Sequence, residues 1–498
     1  ILVAQINPKV GDLEGNCQKI IDAIRRGKET GCRLVCFSEL VLTGYPPEDL
    51  LLQPHFIKSV HDKLGIISKE TKNIAAIVGL PRLNEGIYGK KLFNAAALIC
   101  DGEILGFQDK TLLPTYDIFD EQRYFEPAAE RKALTLFGKK IAITICEDIW
   151  QNAKVLTEVN YIYDPIQDYQ KQNVDLLINL SASPYSKGKT EKRLKVVKNA
   201  AKALQAPVVL CNQVGGNDSI IFDGRSIVAD KFGQLIHIGK GFCEDDIIYD
   251  MDSDEKRAHY ISCPEEETYQ ALVLGVRDYF QKQGFEKAVI GLSGGIDSSL
   301  VACIAVDALT KEHVLGVSMP SRYSSQGSYD DASELAKNLG IEFIQIPIES
   351  PFTSYLSLLA PFFEGYAQDV TEENLQARIR GMILMALSNK FGSIVLSTGN
   401  KSELAMGYST LYGDLCGGLS VISDLTKREV YQLSHWINRE KIIIPVQSIE
   451  KPPSAELREN QRDSDTLPDY EIIDKVLEAY LYRHQSDQEI SLENHIPL

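Results

Sequence analysis

The chain has 498 residues, with 52 Lys and Arg against 69 Asp and Glu and a formal net charge of −17. That balance excludes a broad nucleic-acid or anionic-membrane surface and leaves room only for a local anion pocket. Two or three domains are expected from length alone, and 44% hydrophobic with 24% charged residues is ordinary globular composition. No apolar stretch reaches the length of a membrane span. Residues 1–10 lack the basic and apolar regions of a signal peptide. The chain opens at Ile1 without a methionine, so we expect its very start to be absent. Cys36, Cys100, Cys211 and Cys303 lie in apolar runs, where a buried thiol is the default. Cys32 and Cys36 lack His or Cys partners at zinc-site spacing. The expectation is a soluble, cytoplasmic protein with no nucleic-acid or membrane partner.

In chain order, Leu2–Ile6 predicts a strand, and Asn16–Gly31 predicts a helix with apolar Ile20, Ile21 and Ile24. Leu34–Phe37 is a second strand. Ile74–Leu80, Asn94–Cys100, Ile141–Cys146, Val174–Leu180 and Pro207–Cys211 repeat the theme, with helices at Gln53–Lys69 and Thr190–Leu204. This predicts a mixed α/β layered unit of roughly 250 residues. Three polar residues fall at strand ends, where α/β folds place chemistry: Glu39, Lys110 and Cys146. Singly, each has an ordinary structural reading. As a set they suit attack on an amide, with a thiol nucleophile, a carboxylate to take its proton and an ammonium to steady the oxyanion.

Glu244–Thr268 is acidic with little apolar periodicity, although Ile247, Ile248 and Tyr249 could still form a last strand. We place the domain boundary there: a first domain over 1–252, a linker over 253–264 and a second domain over 265–498. Glu265–Gln283 then predicts a helix with Leu272, Val276 and Phe280 on one face.

The second half is organised around Ala288-Val-Ile-Gly-Leu-Ser-Gly-Gly-Ile-Asp-Ser-Ser-Leu300. Val289, Ile290 and Leu292 make a buried strand, Ser293, Gly294 and Gly295 break it, and Leu300, Val301, Ile304, Ala305 and Leu309 recur at helical spacing. Backbone N–H groups in such a turn can point at an anion, and the helix start adds its positive dipole end. It is not a Walker A loop, because no Lys follows the glycines. Strands and helices then alternate, as a doubly wound parallel sheet requires. Val314–Met319, Glu342–Ile348 and Ser393–Ser397 are strands. A helix opens at a cap near Ser328 and runs to Gly340, another spans Glu373–Phe391 with Ile379, Ile383 and Leu387 buried, and Thr426-Lys-Arg-Glu429 is a capping box.

These residues carry a resemblance. Phe37-Ser-Glu39 with Gly44-Tyr45-Pro46-Pro47, Lys110-Thr-Leu-Leu-Pro114 with Phe119–Phe125, and Ile145-Cys146-Glu147-Asp148 resemble the three signatures of the nitrilase superfamily, in the order and spacing of its glutaminase members. Ser293-Gly-Gly-Ile-Asp-Ser298 resembles the pyrophosphate loop of ATP pyrophosphatases. With Asn374–Arg380, Thr398–Glu403 and Tyr408–Asp414 it resembles the NAD synthetases. In this order, from Glu39 to about Leu457, the chain is similar to the glutamine-dependent NAD synthetase family. The resemblance implies a nitrilase-like α-β-β-α sandwich followed by a doubly wound parallel sheet of the adenine nucleotide α-hydrolase type. It implies Glu39 as base, Cys146 as nucleophile, Lys110 as the second catalytic residue and Glu121 close to the thiol. Tyr116, Ser183 and Lys189 would hold glutamine. Gly291, Leu292, Ser293, Gly294, Gly295, Ile296, Asp297, Ser298, Thr398 and Lys427 would bind ATP. Asn374, Arg378, Glu403, Tyr408, Ser409, Thr410 and Leu411 would border deamido-NAD, and Asp297 and Glu403 would ligate Mg²⁺. Ser321–Ser325 resembles the family's mobile segment. A homo-oligomer formed through the second domain is also implied.

One feature of the sequence departs from the family. Related synthetases end in a basic stretch, whereas this chain ends Glu489-Ile-Ser-Leu-Glu-Asn-His-Ile-Pro-Leu498; either a tail is missing or that contact is made differently. Two rival readings differ in class. GMP and asparagine synthetases share the pyrophosphate loop, but their glutaminases are of other types, which Glu39, Lys110 and Cys146 oppose. A nucleotide sensor with a working amidase would be signalled by loss of Asp297 or Glu403, and both are present.

Overall fold

The structure is a computed structural model that describes residues 1–155, 159–253 and 257–494. The expected linker 253–264 and the expected departure at the C-terminal tail therefore lie partly outside the described residues. The chain divides into two compact units, Ile1–Glu267 and Thr268–Leu498. Among the described residues no helix is long and apolar enough to cross a membrane.

The first unit is built on two six-stranded sheets. Its strands are β1 (Leu2–Gln5), β2 (Leu34–Cys36), β3 (Ala75–Leu83), β4 (Leu92–Cys100), β5 (Glu103–Asp109), β6 (Leu134–Leu136) and β7 (Lys139–Ile145), followed by β8 (Leu176–Ser181), β9 (Val208–Asn212), β10 (Val214–Asn217), β11 (Ile220–Asp223), β12 (Ile227–Ala229), β13 (Leu235–Ile238) and β14 (Asp245–Ile248). One sheet runs β14-β1-β2-β3-β4-β5, the other β13-β12-β9-β8-β7-β6, and β10 and β11 form a hairpin apart. Both central trios are parallel, with Leu2 opposite Val35, Leu34 opposite Ala75, Ile141 opposite Leu176 and Leu177 opposite Val208.

Period-two alternation explains the layering. Val3, Leu34, Cys36, Ala75 and Ile77 of one sheet share a core with Ile141, Ile143, Leu176, Ile178 and Val209 of the other. The alternate residues Leu2, Ala4, Val35, Ala76 and Val78 pack instead on Ile20, Ile21, Ile24, Val60 and Leu64 of the helices Leu13–Glu29 and Pro54–Glu70. Ala142, Leu177, Val208 and Leu210 do the same with Val196, Val197 and Ala200 of the helix Lys189–Leu204. Both faces of each sheet are covered, so the strands read as continuous apolar runs and the unit is an α-β-β-α sandwich. The first helix starts earlier than expected because Asp12 accepts from Gly15 N at 2.9 Å and caps it.

In the second unit β15 (Ala288–Gly291), β16 (Val314–Ser318), β17 (Glu342–Gln345), β18 (Ile394–Ser397) and β19 (Leu419–Ser420) form one sheet in the order β17-β16-β15-β18-β19, every pair parallel. Ala288, Ile290, Ile394 and Leu396 face one core with the helices Pro264–Gln283, Ile296–Leu309 and Lys427–Ile437. Val289, Val317 and Val395 face another with the helices Glu349–Leu359 and Val370–Phe391. This is a doubly wound sheet. Its order reverses between β15 and β18, which is where such sheets open a ligand crevice.

Boundaries in this unit also differ from the sequence reading, and the strand expected over Glu342–Ile348 ends at Gln345. The cap near Ser328 is instead Ser325, which accepts from Ser328 N at 3.2 Å and opens the helix Gln326–Leu339. The Ser328 hydroxyl is committed to Glu456, 2.8 Å away. The long helix starts at Val370 rather than Glu373, because Asp369 and Glu372 form its capping box. Ile379 on that helix is buried, while Ile383 and Leu387 are half-buried against the same core.

Candidate active sites

The turns after β2, β5 and β7 bring three predicted residues together. Lys110 Nζ donates to Glu39 Oε1 and to Glu121 Oε1, both at 2.7 Å. Asn94 Nδ2 donates to Glu39 Oε1 at 2.8 Å, Ala182 N to Glu39 Oε2 at 3.1 Å, and Tyr45 OH to Glu121 Oε1 at 2.9 Å. The Glu39 turn fits only because Gly79 passes beneath it: a Cβ there would lie 2.5 Å from Leu40 N and 2.6 Å from Ser38 O.

Cys146 directly follows β7 at φ +43, a left-handed conformation that a non-glycine residue adopts at a cost. This elbow turns the thiol out of the strand line, and Ser181 Oγ donates to Sγ at 3.6 Å. Asp148 holds the elbow to the Lys110 turn: it accepts from Ile145 N at 3.0 Å, Thr111 N at 3.0 Å and Leu112 N at 2.8 Å.

The electrostatics follow from burial. Burial pushes the Cys146 thiol well up, and the Glu39 carboxylate adds to this, so the resting thiol keeps its proton. Burial opposes the Lys110 ammonium, yet the Glu121 and Glu39 carboxylates hold it well above the usual lysine range. Glu121 is pushed up to about 7 by burial against the pull of Lys110. The arrangement is a neutral thiol beside a carboxylate base that an ammonium holds in place.

Two of the predicted glutamine contacts, Tyr116 and Lys189, lie within electrostatic reach of the same thiol. Tyr116 OH donates to Glu147 Oε1 at 2.8 Å, and Tyr161 OH to the same atom at 3.2 Å. Ser183 is buried and its N donates to Asn212 Oδ1 at 2.9 Å. Lys189 Nζ lies 4.6 Å over the Trp150 ring. Burial lowers its pKa, and the charge of Arg193 lowers it further.

The second unit holds a cavity of about 340 Å³ at the β15/β18 switch point. Gly291, Leu292, Ser293, Gly295, Ile296, Asp297, Ser298, Thr398 and Lys427 line it, together with Glu403, Tyr408 and Ser409. Gly294 does not. It sits at φ +78 with its backbone against the Ser328 carbonyl, so that a Cβ would collide there. Ser293 and Ser298 brace the loop, with Oγ atoms 3.2 Å apart and Gly295 N donating to Ser293 Oγ at 3.2 Å.

Lys427 Nζ donates to Asp297 Oδ2 at 2.5 Å and to Glu403 Oε1 at 3.1 Å, and Asn400 Nδ2 donates to Asp297 Oδ1 at 2.8 Å. Glu403 is pushed up to about 7 by burial and by the neighbouring Asp297, while Lys427 is held up by both carboxylates against its own burial. Asn374, Arg378, Thr410 and Leu411 do not line the cavity. They form an adjoining cluster, with Thr410 Oγ1 donating to Asn374 Oδ1 at 2.7 Å and Arg378 Nε to Leu411 O at 3.2 Å.

Several site neighbours were not singled out from sequence. Asp148, Glu147 and Tyr45 lie inside quoted signatures, as do Asn400 and Arg380. Arg380 lines the cavity, donates from Nε to Met319 O at 3.0 Å and is lowered to about 10 by burial. Asn94 carried no signal, because an Asn inside an apolar strand has no motif around it.

A buried thiol beside a lysine–carboxylate set in an α-β-β-α sandwich, joined in one chain to a glycine-rich loop at the switch point of a doubly wound sheet, is the layout of a glutamine amidotransferase. The carbon-nitrogen hydrolase family model matches residues 3–259, and the NAD synthase model matches residues 268–498. The chain is 47% identical over 500 residues to the glutamine-dependent NAD(+) synthetase of Synechocystis sp., covering 98% of this chain and 90% of that one. It is 44% identical over 530 residues to that of Thermotoga maritima, covering 99% and 90%. The structure of the Acinetobacter baumannii glutamine-dependent NAD+ synthetase in complex with ADP matches at a TM-score of 0.85 and 38% identity, covering 99% of this chain and 89% of that one. The chain belongs to the glutamine-dependent NAD(+) synthetase family. Its reaction is the ATP-dependent amidation of deamido-NAD to NAD with nitrogen from glutamine, the final step of NAD biosynthesis.

Proposed function

We propose that residues 1–252 form the glutaminase domain and residues 265–498 the synthetase domain, each doing one half of the reaction. In the first, Cys146 Sγ attacks the side-chain amide carbon of glutamine, and Glu39 takes the thiol proton. The C–N bond breaks, the proton passes to the leaving nitrogen, and ammonia departs. Water then attacks the thioester with Glu39 again as base, releasing glutamate and restoring the thiol. Lys110 steadies the developing oxyanion, and Glu121 orients Lys110. Tyr116, Ser183 and Lys189 hold the α-amino acid head group. The observation that carries this reading is the buried contact of Lys110 with Glu39 beside the Cys146 elbow.

In the second domain the nicotinate carboxylate attacks the α-phosphorus of ATP and pyrophosphate leaves. Ammonia then displaces AMP from the mixed anhydride, giving NAD. Gly291–Gly295 and Ile296–Ser298, with Gly294 shaping the loop from behind rather than lining the cavity, bind ATP together with Thr398 and Lys427. Glu403, Tyr408 and Ser409 border deamido-NAD from the cavity wall, and Asn374, Arg378, Thr410 and Leu411 from the adjoining cluster. Asp297 and Glu403 suit Mg²⁺: they are two oxygen donors converging on one cation, and their repulsion is relieved by a divalent one. When bound, Mg²⁺ supplies charge neutralisation to the leaving pyrophosphate.

The deciding assay supplies deamido-NAD, ATP and Mg²⁺ with either glutamine or ammonium and monitors NAD and AMP. One AMP per NAD from both nitrogen sources is expected, and NAD without AMP overturns the adenylation route. We place the protein in the cytoplasm, where the buried thiols Cys36, Cys211 and Cys303 stay reduced. Self-association through the synthetase domain is supported by Met382 and Met385, which leave apolar surface exposed one turn apart on the helix Val370–Phe391. Light scattering of Met382→Glu should show loss of the oligomer; a wild-type monomer overturns this.

A further inference from the structure

Beneath the head-group residues of the glutaminase domain lies an ion pair that the mechanism does not use. Arg193, on the helix Lys189–Leu204, and Asp223, at the end of β11, are both fully buried and paired. Arg193 NH1 also donates to Gly224 O at 3.0 Å, and its NH2 donates to Thr190 Oγ1 at 3.4 Å. Thr190 Oγ1 donates in turn to Asp223 Oδ2 at 3.3 Å. The Gly224 carbonyl is shared, because Asn212 Nδ2 donates to it at 2.8 Å. Asn212 then holds Ser183 at both backbone atoms, accepting from Ser183 N at 2.9 Å and donating to Ser183 O at 3.4 Å.

A buried ion pair is weak evidence for stability, since a well-packed apolar pair of similar volume does as well or better. Among the described residues Arg193 Nε and Asp223 Oδ1 have no hydrogen-bond partner, so this pair is not arranged for the fullest bonding. Its connections run the other way, toward two positions. Arg193 sits one helical turn from Lys189. Through Gly224 and Asn212 it reaches the backbone of Ser183. We infer that Arg193 and Asp223 are positioning residues that hold Lys189 and Ser183 at the spacing of a glutamine α-amino acid head group, and so set the preference for glutamine over simpler amides. This rests on the reading that Ser183 and Lys189 bind that head group.

The test compares kcat/KM for glutamine with kcat/KM for propionamide, which has an amide but no head group, in the full-length enzyme. The paired change Arg193→Met/Asp223→Leu removes both charges together, so neither is left buried alone. It should raise KM for glutamine on the order of ten- to hundredfold, the cost of a misplaced contact. kcat at saturating glutamine, propionamide turnover and ammonium-dependent NAD synthesis should all hold. Asn212→Ser, which leaves the ion pair intact, should shift the glutamine preference the same way and serves if the paired variant does not fold. Equal loss with glutamine and propionamide would mean a merely structural role and overturns the inference. An unchanged KM in both variants, while Lys189→Ala raises it, overturns the inference alone. If Lys189→Ala and Ser183→Ala also leave KM for glutamine unchanged, the head-group reading itself falls and the inference with it.

Discussion

The two domains carry the same charge motif in different surroundings. In the glutaminase, Lys110 bridges Glu39 and Glu121; in the synthetase, Lys427 bridges Asp297 and Glu403. The first trio is sealed, with side chains 1%, 0% and 5% exposed, whereas the carboxylates of the second are each 18% exposed into the cavity. A sealed trio has no room to exchange its cation, so its lysine is a fixed part of the reacting set. An open trio presents carboxylates to whatever enters, and its lysine neutralises them until a stronger cation and the phosphates arrive. On the proposed assignment, one motif serves proton transfer where the charges are buried and phosphate chemistry where the carboxylates face an open crevice.

The largest effect should come from Cys146→Ala, which tests whether the sealed site serves glutamine alone. Glutamine-dependent NAD formation should fall by about 10⁴-fold or more, as when a covalent nucleophile is lost, while excess ammonium still supports synthesis. Retained glutamine activity would make Cys146 a core thiol. Loss of the ammonium reaction in a folded variant would overturn the division of labour.

Asp297→Asn attacks the open trio and should lower NAD formation from both nitrogen sources by about 10²- to 10³-fold, the scale of losing a group that stabilises transition-state charge. Glu403→Gln should do likewise and leave glutamine hydrolysis measurable. If Glu403 is only the third residue of the capping box with Asn400, the change costs about 1 kcal/mol at most, and turnover survives. Comparing AMP release with melting temperature separates the two.

Asp148→Asn should loosen the sealed site without touching the open one. An amide oxygen replaces only one of the two carboxylate oxygens that bind Ile145 N on one side and Thr111 N and Leu112 N on the other. The expected cost is about 1–3 kcal/mol, with slower alkylation of Cys146 and unchanged ammonium-dependent synthesis. Faster alkylation or lost ammonium activity would contradict the brace.

The smallest effect is on pH dependence. Glu121 and Glu403 both rise from an ordinary 4.5 to about 7 in the folded chain. The native state therefore holds more protons than the unfolded state between those values, and stability falls as pH rises through that window, by at most about 1.4 kcal/mol per pH unit per group. Glu121→Gln and Glu403→Gln should each remove one such slope. Adding Mg²⁺ with ATP should flatten only the slope that depends on Glu403, since Glu403 lines the switch-point cavity and Glu121 lies in the other unit. Thermal melts between pH 5 and 7 decide it, and equal flattening of both slopes would erase the contrast between the trios.

Much of this was legible in the residue order. Strand periodicity, the Ser293–Ser298 turn and the Thr426 box are local signals, set by side-chain alternation and backbone geometry within a few residues, and they reappear within a turn of the expected limits. Glu39 and Cys146 could be placed because they follow the buried strands β2 and β7, whereas β5 before Lys110 is mostly exposed or half-buried and leaves no apolar run in the sequence. Tertiary structure alone decided which carboxylates share a lysine. The 71 positions between Glu39 and Lys110 and the 130 between Asp297 and Lys427 are closed by sheet order, which no local pattern encodes. It also decided that Asn94 touches Glu39, that Gly79 makes room for the Glu39 turn, and that Asn374 and Arg378 stand beside the cavity rather than in it. Burial made the further difference, because the same Lys–carboxylate contact becomes a sealed set or an open one according to what packs above it.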